Sequence, residues 1–243
     1  MSVPFFYVSA IESQGAFQTL TEDASRHIVQ VLRMVNGERL RLTDGKGTIA
    51  ETEISDDHKK KCVVQIREIF LQERPAARHT IAISLLKNNT RFEWFLEKAT
   101  ELGISQIIPL ICSRTEKQHF RSDRMQSIVI SAMLQSQQSW LTELTAPMGF
   151  TSFVDQYLSR NETSNGYRIF IAHCEEGQKK SLLSQEFINI HRKMILIGPE
   201  GDFTREEIQL AIGHNSIPIE LGATRLRTET AGVIAATLAQ LCK

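Results

Sequence analysis

No Gly-x-Gly-x-x-Gly occurs in this 243-residue chain, which removes the usual dinucleotide-binding fingerprint. Gly-x-x-x-x-Gly-Lys-Ser/Thr is missing too, so there is no P-loop. Nor is there a Gly-x-Ser-x-Gly nucleophile elbow. Cys62, Cys112, Cys174 and Cys242 are scattered without a Cys-x-x-Cys, a pattern of reduced thiols rather than of a zinc site or disulfides; no metal is expected. No apolar run approaches the roughly 18 residues that span a bilayer. Residues 1–10 have no basic region ahead of an apolar core, so no signal peptide is expected there. A cytoplasmic protein without membrane association is the expectation. Net charge is zero, from 28 basic and 28 acidic residues. That balance argues against non-specific nucleic-acid binding, which rests on phosphate neutralisation, but leaves room for a local basic face.

What is present is an ordinary globular composition, 42% hydrophobic, in a chain long enough for one large domain or two smaller ones. Residues 1–72 read as a small β-rich domain. Residues 5–8 are strand-like, Leu40 and Leu42 alternate with Arg39 and Arg41, and 48–54 and 62–66 supply two more strands. Thr21 is placed to cap a short helix, with Glu22 and Asp23 at its positive end. Asp44-Gly45 gives turn chemistry, and Gly45-Lys46-Gly47 reads as a hairpin turn.

Residues 73–78 look like a linker, because Pro75 disfavours regular structure there. After it the pattern changes. Strands over 81–86, 106–110, 167–172 and 194–197 are interleaved with helices over 91–102, 123–138, 205–212 and 229–241. Alternation of this kind predicts an α/β domain over 73–243 with a mostly parallel sheet. Thr90-x-x-Glu93 and Thr204-x-x-Glu207 have the form of capping boxes, and Gly103 is placed to end the first of these helices. Residues 161–166 are polar and read as an exposed loop. His173-Cys174-Glu175 lacks a partner that would complete a nucleophilic triad, and reads as a strand end.

Two stretches carry chemistry: Met194-Ile-Leu-Ile-Gly-Pro-Glu-Gly-Asp-Phe203 and Leu221-Gly-Ala-Thr-Arg-Leu-Arg-Thr-Glu-Thr-Ala231. Each is an apolar run opening into a glycine-bearing loop and then a helix start. Side by side at the carboxyl ends of strands, they would form a crevice lined by backbone amides and carbonyls, where α/β proteins bind nucleotide-like ligands. Arg225, Arg227 and Glu229 make the second loop a mixed-charge cluster suited to a polar substrate.

These stretches resemble the RsmE-type family of ribosomal RNA uridine-N3 methyltransferases, a branch of the knotted SPOUT methyltransferases. The family's Gly-Pro-Glu-Gly-Gly/Asp-Phe loop matches 198–203, and its Leu-Gly-x-x-Ile/Leu-Leu-Arg-x-Glu-Thr-Ala loop matches 221–231, with Arg225 at a position usually apolar. The run Arg91-Phe-Glu-Trp-Phe-Leu-Glu-Lys-Ala-Thr-Glu-Leu-Gly103, then Ile108-Pro109 and Ser113-Arg114, is a third match; His27-x-x-x-Val31-Leu-Arg33 is a fourth. One departure stands out. Where the family often has Glu-Gln-Ser-x-Arg, this chain has Leu134-Gln-Ser-Gln-Gln138, without the acid or the arginine.

The resemblance implies an N-terminal PUA-like, RNA-binding β-barrel over 1–72 and a SPOUT-type α/β domain with a trefoil knot over 73–243, assembled as a homodimer. It implies methyl transfer from S-adenosyl-L-methionine to N3 of one uridine in the 16S ribosomal RNA of the small subunit. The cofactor would be held by Ile197, Gly198, Gly201, Leu221, Gly222, Leu226 and Thr228. Arg227 would stabilise the charge that develops on the uracil oxygens as the N3 proton leaves. Glu229 or Glu200 would accept that proton, although Glu229 also suits the first turn of a helix simply as a carboxylate at its positive end. Arg33, Arg91, Lys98 and Arg114 are candidates for RNA phosphates, or ordinary surface charges. Two other functions stay open: a knotted methyltransferase for another RNA, and a non-catalytic RNA-binding ribosome-assembly factor.

Overall fold

The computed structural model describes residues 3–116, 119–159, 167–175, 180–181 and 190–241. The polar stretch 161–166 and Cys242 lie outside the described residues. The chain forms two units: Met1–Arg74 together with Met133–Leu141, and Pro75–Ala132 together with Thr142–Lys243.

The first unit contains β1 (Phe5–Tyr7), β2 (Phe17–Thr19), α1 (Glu22–Arg26), β3 (Arg39–Thr43), β4 (Thr48–Asp56) and β5 (Val63–Leu71). Its sheet runs β1-β3-β4-β5-β2, so the expected barrel takes the form of a five-stranded sheet with β1 and β2 at its ends. The β3–β4 and β4–β5 pairs are antiparallel, and register shifts between Glu51 and Thr52 and between Ile54 and Asp56 bend β4. Leu40, Leu42, Ala50, Ile54, Val64 and Ile66 alternate onto one buried face, where Ile28 joins them. Thr21 caps α1 as expected, and the helix continues as a π-helical turn over His27–Val31.

Residues 133–141 belong to this unit for specific reasons. Gly47 (φ +94°) lies against the Trp140 ring, which a Cβ there would overlap. Trp140 Nε1 donates to Gln72 O at 3.2 Å, and the Arg74 guanidinium sits 5.2 Å from the ring centre. Gly47 N donates to Ser139 O and Leu141 N to Gly45 O, each at 2.9 Å. The Asp44–Gly47 turn is thus a docking point for a later segment, beyond the hairpin role read from the sequence.

The second unit contains β6 (Arg78–Ser84), α2 (Asn89–Glu101), β7 (Gln106–Ile111), α3 (Ser122–Gln135, whose last turn belongs to the first unit), β8 (Glu143–Leu144), β9 (Met148–Gly149), α4 (Phe150–Phe153), β10 (Arg168–Ala172), β11 (Lys180–Ser181), β12 (Arg192–Ile197), α5 (Arg205–Gly213), β13 (Ile217–Glu220) and α6 (Thr228–Leu241). The sheet order is β11-β13-β10-β12-β6-β7-β8, with β9 also on β7, and every pair in it is parallel. Met194, Ile195, Leu196 and Ile197 in β12 are all buried, the continuous apolar run of a strand covered on both faces. Phe150, Phe153, Val154, Leu158, Ile208 and Ala211 cover one face.

Three details differ from the sequence reading. The N-cap of α2 is Asn88, whose side chain accepts from Thr90 N at 2.9 Å, so Thr90 is inside the helix rather than capping it. Glu93, which a capping box would need, instead takes a two-pronged contact from Arg124, with Nη2–Oε2 at 2.7 Å. The helix expected over 123–138 stops at Gln135, where Gln137 adopts φ +55°. Thr204 and Glu207 do form the expected capping box, and Gly103 (φ +79°) follows the end of α2.

Candidate functional site

β13, β10 and β12 are neighbours in the sheet, and Ala172 pairs with both Ile197 and Ile219 near their carboxyl ends. Their three exits surround a cleft of about 510 Å³. One wall is the loop after β12, with Ile197, Gly198, Pro199, Glu200 and Asp202; a second is the run from Ile219 through Thr228, with Ala231 on α6. The third, Ala172–Cys174 after β10, was missed by the sequence reading. No signal short of the strand order could have found it, since nothing in that segment resembles a ligand motif.

The β12 loop is held from outside. Asp202 N donates to Pro199 O at 2.9 Å, closing a turn. Arg114 Nη1 donates to Gly201 O at 2.8 Å and Phe203 O at 3.3 Å, and its methylenes occupy the space beside Gly201. Lys87 N donates to Glu200 Oε1 at 3.1 Å. Glu207, 7% exposed, accepts from Ser113 N at 2.8 Å and Ser113 Oγ at 3.0 Å with one oxygen, and from Thr204 N at 2.9 Å with the other. One carboxylate therefore fastens the turn after β7 to the start of α5. Phe203 is buried against Phe150, with ring centres 5.4 Å apart.

The two loop glycines differ in purpose. A Cβ on Gly198 would lie 3.0 Å from both Phe203 N and its ring, so that glycine serves the packing of the loop itself. Gly222 has φ +149° and open space where a Cβ would go. Of the expected cofactor residues, Ile197, Gly198, Leu221, Gly222, Leu226 and Thr228 line the cleft. Gly201 stands behind it, against Arg114.

Arg227 and Glu200 both border the cleft and are exposed, whereas Glu229 is 7% exposed and outside the lining. Glu229 Oε1 lies 3.7 Å from Arg91 Nε, and Oε2 is buried without a hydrogen-bond partner. Arg225 reaches Glu200 O at 3.5 Å. Among the expected RNA contacts, Lys98 is engaged by Glu97 and Glu101 at 2.7 and 3.0 Å, and Arg114 is committed to the β12 loop. Arg33, in the first unit, is exposed with φ +57°, beside exposed Val31, Leu32 and Val35. Glu175 pairs with Arg205, which leaves the His173–Cys174 pair without that acid. Burial raises the Cys62 thiol to about 11 and the Cys112 thiol further; Cys174, at the cleft, is exposed. Among the described residues no group of His, Cys, Asp and Glu is arranged to hold a metal, and no helix is long and apolar enough to cross a membrane.

A parallel α/β sheet with a loop-built cleft at its carboxyl edge, preceded by a small β domain, is the architecture of an RNA methyltransferase, and the chain belongs to that family: the RNA methyltransferase domain model matches 72–240 and the RNA methyltransferase PUA domain model matches 20–67. Within the class it groups with the ribosomal RNA small subunit methyltransferase E proteins. That of Synechocystis sp. is 30% identical, over 92% of this chain and 72% of the relative. The crystal structure of a probable rRNA-methyltransferase from Porphyromonas gingivalis has TM-score 0.87 at 32% identity, covering 99% of both chains. The Neisseria gonorrhoeae ribosomal RNA small subunit methyltransferase E, bound to S-adenosyl methionine, has TM-score 0.85 at 26% identity, covering 99% of this chain and 98% of that one.

Proposed function

We propose that this chain methylates N3 of a single uridine in 16S ribosomal RNA of the small subunit, using S-adenosyl-L-methionine, in the cytoplasm and as a homodimer. The observation that carries the reading is the cleft itself. Both family loops converge on it from β12 and β13, the strands on either side of β10, and its roughly 510 Å³ lies within the range of small-molecule sites. The residues present fit the cofactor: Ile197, Gly198, Leu221, Leu226 and Thr228 border the space, and Gly222 leaves it open. Gly201 contributes by letting Arg114 fix the loop. When bound, the cofactor's sulfonium supplies an activated methyl group.

The chain's own task is then to orient the acceptor, exclude water and manage one proton. Uridine N3 is protonated at neutral pH, and losing that proton spreads negative charge over N3 and the flanking oxygens. Arg227, exposed at the cleft, stabilises that charge. Glu200 or Glu229 accepts the proton. Glu200 borders the cleft with one oxygen fixed by Lys87 N, while Glu229 has a buried oxygen that lacks a partner. Arg33 and Arg91 are the cations we assign to RNA phosphates, Arg91 through the face of its guanidinium left over by the 3.7 Å approach to Glu229; Lys98 and Arg114 are more fully engaged, by Glu97 and Glu101 and by the β12 loop. Residues 1–72 contribute RNA binding, and 73–243 carry the knotted catalytic fold together with Arg91.

The test is labelling of small subunits that lack the mark, followed by mass-spectrometric mapping. One N3-methyluridine in 16S RNA is expected. Methylation confined to another RNA would give the enzyme a different substrate, and failure to bind S-adenosylhomocysteine would make the chain a non-catalytic factor. Arg227→Ala should cost about 100- to 1,000-fold in single-turnover rate with cofactor affinity kept. Of Glu200→Gln and Glu229→Gln, the variant of the proton acceptor should lose rate at neutral pH and regain part of it as pH rises and uridine ionises unaided. Light scattering tests the dimer, and a monomer at micromolar concentration would refute it.

A further inference from the structure

Asp202 adopts φ +64°, a left-handed conformation that costs a residue with a Cβ more than it costs glycine. Such an outlier next to a cleft calls for a compensating contact. Its carboxylate supplies two. Oδ1 accepts from Phe203 N at 2.8 Å, within the β12 loop. Oδ2 accepts from Cys174 N at 2.7 Å, a bond that crosses to the β10 loop. Cys174 lies two residues past the end of β10, and both it and Asp202 border the cleft. The same segment also meets this part of the chain through the Glu175–Arg205 ion pair, whose arginine side chain is 83% exposed, a kind of pair that contributes little.

We propose that Asp202 is a positioning residue: its carboxylate clasps the third wall of the cleft to the β12 loop, and cofactor affinity depends on that clasp. The inference rests on the reading of the cleft as the cofactor site. Asp202 acts through the two loops, by setting the distance between walls that close on the same ligand, and takes no part in proton transfer. The left-handed backbone is what turns its side chain to reach both amides. The arrangement also predicts opposite effects on two measurable quantities. Glycine in place of Asp202 relieves the backbone cost while it frees the wall.

Asp202→Gly and Asp202→Asn test this with S-adenosylhomocysteine as the probe, by calorimetry and thermal denaturation of the full chain. Glycine at 202 is expected to weaken binding about tenfold, the loss of a hydrogen bond to a charged group, with Tm within about 2 °C of the parent or above it. In turnover, KM for the cofactor rises while kcat stays within about twofold, since the reacting groups are untouched. Asparagine tolerates the same backbone and can accept from only one of the two amides, so it is expected to fall between. If the glycine variant fails to fold, the asparagine variant carries the test. In a Cys242→Ser background the Cys174 thiol adds a second readout. Its alkylation by iodoacetamide should be slowed by S-adenosylhomocysteine in the parent, and less so once the clasp is gone. Parental affinity in every folded variant would overturn the proposal, as would a fall in affinity that merely follows a fall in Tm. A parent chain that does not bind S-adenosylhomocysteine would overturn the cofactor-site reading along with it; a parent that binds, with variants that bind equally, would overturn the clasp alone.

Discussion

Replacing Glu207 by alanine should destabilise the second unit more than most single substitutions. The carboxylate is 7% exposed and accepts three hydrogen bonds, from Ser113 N, Ser113 Oγ and Thr204 N, at 2.8–3.0 Å. Hydrogen bonds to a charged group are worth about 1.5–3 kcal/mol each, but they are not additive, and the carboxylate's own desolvation is recovered when it is removed. A net loss of about 3 kcal/mol follows. At roughly 2–4 °C per kcal/mol for a chain of this size, the transition of the second unit should fall by about 6–12 °C in differential scanning calorimetry. Thr204→Ala removes only the cap, at about 1 kcal/mol. Because Thr204 and Glu207 bond reciprocally, the double variant should lose less than the sum, with a coupling of at least about 0.5 kcal/mol. A Glu207→Ala transition within 2 °C of the parent, or strict additivity with Thr204→Ala, would refute the claim that this carboxylate fastens the two turns.

Gly232→Ala sets helix propensity against packing. A mid-helix alanine normally gains up to about 1 kcal/mol, but a Cβ here would lie 2.6 and 2.7 Å from Phe95 ring carbons and 2.8 Å from Ile83 Cδ1. Overpacking costs about 1–3 kcal/mol, so a lower urea midpoint is expected and a higher one would refute the contact. Arg124 tests the pH dependence of α2. Its hydrogen bond, foremost, holds the Glu93 carboxyl below the ordinary carboxylate range. A depressed folded-state pKa stabilises above the unfolded value and fades as pH falls through the folded one. Arg124→Ala should therefore destabilise at neutral pH, with the difference from the parent vanishing in acid; a pH-independent difference would show that packing, rather than charge, is what was lost.

The parallel sheet and its flanking helices were legible because β6, β7, β10 and β12 are apolar runs bounded by turn residues, and α5 announces itself with Thr204 and Glu207. What escaped depends on partners distant in sequence. β2 is three residues long with Phe17 61% exposed, and exists as a strand through its pairing with β5. α4 and the π-helical turn that follows it, Val154–Leu158, have no side-chain cap and are rich in aromatic and branched residues of modest helix propensity; buried Phe150, Phe153, Val154 and Leu158 hold them helical by tertiary contact. At the cleft, the two loops were readable from their own residues. The third wall was not, nor was Glu207's second bond, because Ser113 lies 94 residues away. Gly198 shows the limit of reading a glycine as room for a ligand: its neighbour is Phe203.

The first unit is not contiguous in the chain: Trp140 fills the space beside Gly47 and bonds to Gln72, yet it follows the whole of β6, α2 and β7. This sets an order of events during synthesis. When Arg74 emerges from a ribosome, the five strands of the first sheet are present but the indole that packs on their turn has not been made. At about 5–20 residues per second, residues 75–141 take roughly 3–13 s more. Two strands and two helices of the second unit, β6, α2, β7 and all but the last turn of α3, are thus out before the first can close. The nascent chain holds an unfinished N-terminal unit through that interval, and the unit's completion is timed by translation of its neighbour.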